Sequence, residues 1–130
     1  MKYMILVHAS QQGYDQMFGD DPSWRDEHQA GLEKAMTDMN ADLEKSGEFI
    51  DAVGLAAPVH TRQVVLKDGV PVVTDGPYAE TQEVLAGYWM VECDSFDRAT
   101  EIAARLARAP GHDTAVYVRP VLGDEPAPEL

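Results

Sequence analysis

The stretch AGYWMVECDSFDRATEIAARLA, residues 86–107, decides the fold. Its first half alternates. Trp89, Val91 and Cys93 fall on one side of an extended chain, Tyr88, Met90 and Glu92 on the other, because successive side chains of a strand point to opposite faces. Its second half changes period. Asp94 or Ser95 can cap a helix whose apolar residues Phe96, Ala99, Ile102, Ala103 and Leu106 recur every three or four positions, and Pro110-Gly111 ends it. TAVYVRPV, residues 114–121, then returns as a strand. A strand, a helix and a strand in succession form half of a domain.

The other half lies upstream. KYMILVH, residues 2–8, is apolar on both alternations, as a strand inside a sheet must be. SQQGYDQMFGDDP is polar and rich in turn formers and reads as a loop. A helix follows, with Asp21 or Ser23 as cap, Pro22 in the first turn and an apolar stripe of Trp24, His28, Leu32, Ala35 or Met36, Met39 and Leu43. Lys45 and Gly47 mark its end. EFIDAVGLAA, residues 48–57, is the second strand, and RQVVLKDGVPVVTD folds back on itself at Asp68-Gly69, a strong hairpin signal. With that hairpin treated as an insertion, the order is βαββαβ, an α+β ferredoxin-like arrangement with two helices on one face of an antiparallel sheet. Residues 1–122 form one domain, and 123–130 read as a frayed tail.

Composition narrows the function classes. The chain has 130 residues, of which 45% are hydrophobic. A chain of this size buries roughly two thirds of its unfolded surface and needs no disulfide or metal staple. With 23 acidic and 10 basic residues its net charge is −13, which repels phosphate backbones and anionic lipid, so nucleic acid and membrane are not expected partners. The single Cys93 lies in an apolar run and reads as a buried, reduced thiol, which places the protein in the cytoplasm.

Two helices leave one sheet face uncovered. Trp89, Val91 and Cys93 belong under the helices, so Tyr88, Met90 and Glu92 point away from them, joined by Tyr117 and Arg119 and by Asp51 and Val53. Such a face is too apolar for water and too polar for a dry core. A homodimer enclosing a partly polar chamber between two of these faces resolves the conflict.

The run VTDGPYAETQEVLAGYW, residues 73–89, continues into the opening stretch. With Asp75, Gly76, Pro77, Tyr78, Ala79, Glu80, Gly87 and Tyr88 in these places, the chain resembles the YCII-related family, specifically its DGPF-type branch, with tyrosine where that motif has phenylalanine. The resemblance implies a ferredoxin-like domain that pairs through its sheets into a dimeric α+β barrel. Some relatives are proposed to use a His-Asp pair near the first helix and its exit, and one branch performs a dehydrochlorination. KAMTDMNADLEKSGEFID, the matching zone, contains no histidine, so neither the pair nor that activity carries over.

The remaining candidates come from the residues themselves. Asp75 is either a turn residue accepting backbone N–H groups or a carboxylate serving as general base. His8, ending the first strand, and His60, after Pro58, are the acid–base candidates, since imidazole titrates near neutral pH. His28 reads as a core-edge residue and His112 as a solvated one. The four histidines show no metal-ligand spacing, so no metal and no cofactor is expected. Tyr78, Tyr88, Glu92, Tyr117 and Arg119 are the candidate ligand-binding residues, with Glu92 and Arg119 also able to pair. The resulting expectation is a homodimer that binds, and transforms by acid–base chemistry, a small organic molecule. The alternatives are a ligand-sensing or interaction module without catalysis, and a cofactor-independent monooxygenase.

Overall fold

The computed structural model describes residues 1–18, 22–109 and 114–123. In chain order these form β1 (Lys2–Ala9), α1 (Gln11–Phe18), α2 (Pro22–Ser46), β2 (Phe49–Gly54), β3 (Arg62–Lys67), β4 (Val70–Asp75), β5 (Val84–Glu92), α3 (Phe96–Ala107) and β6 (Val116–Pro120). The main sheet has the order β2-β5-β1-β6 with every neighbouring pair antiparallel. That α+β topology is compatible with a ferredoxin-like fold. β3 and β4 form a separate two-stranded sheet.

The alternation in β5 is realised as expected. Trp89, Val91 and Cys93 are buried with Tyr3 and Ile5 of β1, and Met39 and Leu43 of α2 and Ala99, Ile102, Ala103 and Leu106 of α3 close the core over them. Trp89 Nε1 donates to Asn40 Oδ1 of α2 at 2.7 Å, so the polar edge of the buried ring is satisfied. The Tyr3 and Phe96 rings meet at 5.4 Å, joining β1 to the start of α3. Cys93 is buried, its Sγ donating to Ser95 O at 3.5 Å, and burial pushes its thiol pKa up.

Local chemistry sets the element ends. Ser95 Oγ accepts the Arg98 N–H and caps α3, which chooses between the two capping residues expected. α2 stops where Gly47 takes φ +80°, with the Glu48 N–H donating to Leu43 O and the Gly47 N–H to Glu44 O. Asp68 and Gly69 both have positive φ, 51° and 79°, as a tight two-residue hairpin turn requires. β2 and β6 are shorter than their apolar runs, ending at Gly54 and Pro120.

Residues 11–18 correct the sequence reading. They are a helix, not a loop. Ser10 Oγ accepts the Gly13 N–H at 3.1 Å and begins it. Tertiary bonds then hold it. Tyr14 Oη donates to Leu55 O at 2.8 Å, the Gln12 N–H donates to Glu80 O at 3.0 Å, and Gln11 Oε1 accepts the Val59 N–H at 2.9 Å. Polar composition hid a helix whose stability comes from contacts distant in sequence. Asp21, Pro110-Gly111, His112 and the last seven residues lie outside the described residues, as do the side chains of Trp24 and His28.

Two contacts make testable demands. Gly87 sits opposite Gly54 and Val7, and a Cβ there would stand 2.6 Å from Val53 O. Gly87→Ala therefore forces β2 away from β5, and a urea midpoint corresponding to a loss of about 1–3 kcal/mol is expected. Arg98 grips Glu48 with two bonds of 2.8 Å, Nε to Oε2 and Nη2 to Oε1, and tethers α3 to the entry of β2. This fork, helped by the Ser46 hydroxyl, holds the Glu48 pKa below its ordinary value of 4.5. Its contribution is present above that ordinary value and lost as pH falls through the folded one. Glu48→Gln should cost about 1–2 kcal/mol at pH 7, and the gap from wild type should shrink in urea titrations repeated below pH 4.5.

Candidate functional site

The face of the main sheet turned away from α2 and α3 is built by strand register. Met4 of β1 stands between Met90 and Arg119, and Leu6 between Tyr88 and Tyr117. β2 adds Asp51 beside Met90 and Val53 beside Tyr88. Lys2 opposes Glu92. The expected outward set of Tyr88, Met90, Glu92, Tyr117 and Arg119 therefore shares one surface. Met4, Leu6, Tyr88 and Met90 are half-buried there, and Tyr117 is 51% exposed.

His8 lies at one end of this surface. A bulge between Val7 and His8 shifts the register, so His8 opposes Leu85. Its ring meets Tyr117 edge-on, with centroids 5.1 Å apart. His8 Nδ1 is buried and has no hydrogen-bond partner. A buried ring nitrogen without a partner is costly.

The other proton-handling candidates make no bond to His8. Asp75 ends β4 with its side chain 83% exposed and meets Arg62 at 3.3 Å across the hairpin. The backbone-accepting turn role expected of Asp75 is not the one observed. Gly76 makes the turn instead, with φ +55° and its N–H donating to Thr61 O at 2.8 Å. His60 is exposed in a short 3-10 turn, Pro58–His60, its N–H donating to Ala57 O. Tyr78 is exposed in the loop between β4 and β5. Among the described residues no hydrogen bond or ion pair joins Asp75 or His60 to His8, and none joins Glu92 to Arg119.

Tyr88 has a partner that the alternation pattern left open. Its hydroxyl reaches Asp51 Oδ2 at 3.5 Å, while Asp51 Oδ1 accepts the Ala52 N–H. Met4 and Leu6 were legible only as apolar members of a two-faced strand. Tyr14 and α1 brace this end of the sheet, the Tyr14 hydroxyl lying 2.8 Å from Leu55 O and 3.4 Å from Ala86 O, and burial pushes its phenol pKa up. A cleft of about 160 Å³ lies on the helical side, between α2 and α3, lined by Ala35, Asp38, Met39, Arg105, Leu106 and Ala109. None of the candidate residues lines it. Among the described residues no helix is long and apolar enough to cross a membrane.

An antiparallel sheet roofed on one face, with a polar and aromatic set on the other, defines a small α+β domain of the class anticipated from Asp75-Gly76-Pro77-Tyr78 and Gly87-Tyr88. The family profile of the YCII-related domain matches residues 1–121, and the chain belongs to that family. It is similar to the uncharacterized protein R00369 of Rhizobium meliloti (strain 1021), 30% identical over 92 residues that cover 68% of this chain and 74% of that protein.

The exposed Asp75–Arg62 pair yields a third test. Solvent screens such pairs, so Asp75→Asn should leave the urea midpoint unchanged. A marked loss of stability would assign Asp75 a structural role in the hairpin.

Proposed function

We propose that this YCII-related protein is a cytoplasmic homodimer, of the DGPF-type branch, that binds a small organic molecule on the open sheet face and transforms it by acid–base chemistry without a cofactor. The observation that carries this reading is the buried, unpartnered Nδ1 of His8 beside the Tyr117 ring. A ligand with one polar atom on an aromatic or apolar body suits the half-buried imidazole and the exposed Tyr117 ring. Its polar atom would meet the imidazole, and its body would lie over Leu6, Tyr88 and Met90. Arg119 would hold a carboxylate or phenolate, and Glu92 and Tyr88 would complete the polar rim.

In this reading His8 accepts or returns a proton at the ligand. Asp75, His60 and Tyr78 lie on the hairpin base and the adjoining loops, and they would take part where a second chain closes over the face. The alternative of a ligand-sensing or interaction module without catalysis draws on one observation, that Asp75 is paired with Arg62 and has no hydrogen bond to His8.

Ligand-observed NMR with a panel of small phenols and aromatic carboxylates tests the reading. Binding by the wild type is expected, with His8→Ala weakening it about tenfold or more through the lost hydrogen bond. His8→Gln, which keeps hydrogen-bonding capacity but cannot carry a proton near neutral pH, separates the two readings. Binding retained with turnover lost supports acid–base chemistry, and an absence of turnover in the wild type supports the sensing module. If His8→Ala binds every ligand as the wild type does, the site is misplaced.

A further inference from the structure

The β3–β4 hairpin is the least explained part of the molecule. All twelve of its strand residues are exposed, Val64, Leu66 and Val73 at 62, 68 and 56%. Its register puts Val64 opposite Val73 and Leu66 opposite Pro71, so one face is wholly apolar over two successive pairs. The opposite face pairs Val65 with Val72, between Gln63–Thr74 and Lys67–Val70. An isolated two-stranded hairpin is marginal in water, and one with apolar side chains on both faces is more so.

We propose that this hairpin is an arm that lays its Val64–Leu66–Pro71–Val73 face on the open sheet face of a second copy of the chain, so that each ligand chamber is closed by the partner's arm. The proposal rests on the homodimer reading above and adds to it which element closes the chamber. Charge selects the occupant. Within the hairpin Arg62 and Lys67 cancel Asp68 and Asp75, and on the open face Lys2 and Arg119 cancel Asp51 and Glu92. The whole net charge of −13 therefore lies on the remaining surface. Two identical acidic chains repel almost everywhere, and these two surfaces of zero net charge, one apolar and one mixed, are where they can meet with the least repulsion. Stoichiometry agrees. Each chain has one arm and one bare face, so a two-fold exchange covers both at once and leaves no open end for further growth.

The experiment combines sedimentation equilibrium with site-specific photo-crosslinking of the full chain. A benzophenone amino acid replaces Leu66, an exposed site where folding is readily checked by circular dichroism. Mixing isotopically light and heavy chains then distinguishes bonds between copies from bonds within one. The expected result is crosslinks from Leu66 to peptides of β1, β5 or β6 of the other copy, with Val64→Lys plus Leu66→Lys raising the dimer dissociation constant about tenfold or more. Crosslinks from hairpin to hairpin overturn the proposal, as do crosslinks confined to one chain. A wild-type dimer indifferent to the paired lysines also overturns it but leaves the homodimer reading standing. A wild-type monomer removes both.

Discussion

Trp89 governs how the main sheet divides. Its ring is buried between the sheet and the helices, and its one polar atom is satisfied by Asn40 of α2. Sliding β5 by one residue would take the ring out of that pocket and push Tyr88 and Met90 beneath the helices. The cost of unpairing a buried indole and of burying a tyrosine hydroxyl holds the register in place. Glycine at position 87 lets β2 approach closely enough for the rest of the strand to lie flat. Sheet order, core and open face all follow from the way β5 is seated.

A surface defined by strand register is a stiff place to build a site. Tyr88, Met90, Leu6 and Tyr117 hold their spacing because backbone ladders hold it, and His8, two residues on from Leu6, comes onto the same face beside Tyr117. The more adaptable pieces collect around one end of the sheet. α1 is fastened there by the Tyr14 hydroxyl and by Gln11 and Gln12, and the same contacts reach the 3-10 turn and the loop after β4. Variation in these connections can alter what reaches His8 without disturbing the core.

Most of the architecture was legible because its signals were local. Periodicity marked α3, Ser95 marked its start, Asp68-Gly69 marked the hairpin, and alternation in β5 assigned both faces. What was not legible depended on distant partners. Residues 11–18 looked like a loop because a short polar helix anchored to carbonyls at positions 55 and 80 leaves no periodic trace. The residue types around Asp75 fit a turn acceptor and a general base alike, and only hairpin register shows Arg62 opposite it. The face carrying Tyr88, Tyr117, Glu92 and Arg119 was readable. That Asp75 pairs with Arg62 and makes no bond to His8 was not, since no spacing along a chain reports how loops converge.

The separateness of the small sheet carries a consequence for folding. β3 and β4 share no ladder with the main sheet, and the Gly76 N–H to Thr61 O bond closes the base of their loop. Melting that appendage exposes little that was buried, so its local opening is uncoupled from the cooperative unit centred on β1 and β5. The chain thus has two tiers of persistence, a durable body and a readily frayed flap. Substitutions accumulating in the flap are filtered by whatever it touches, not by the body's own stability.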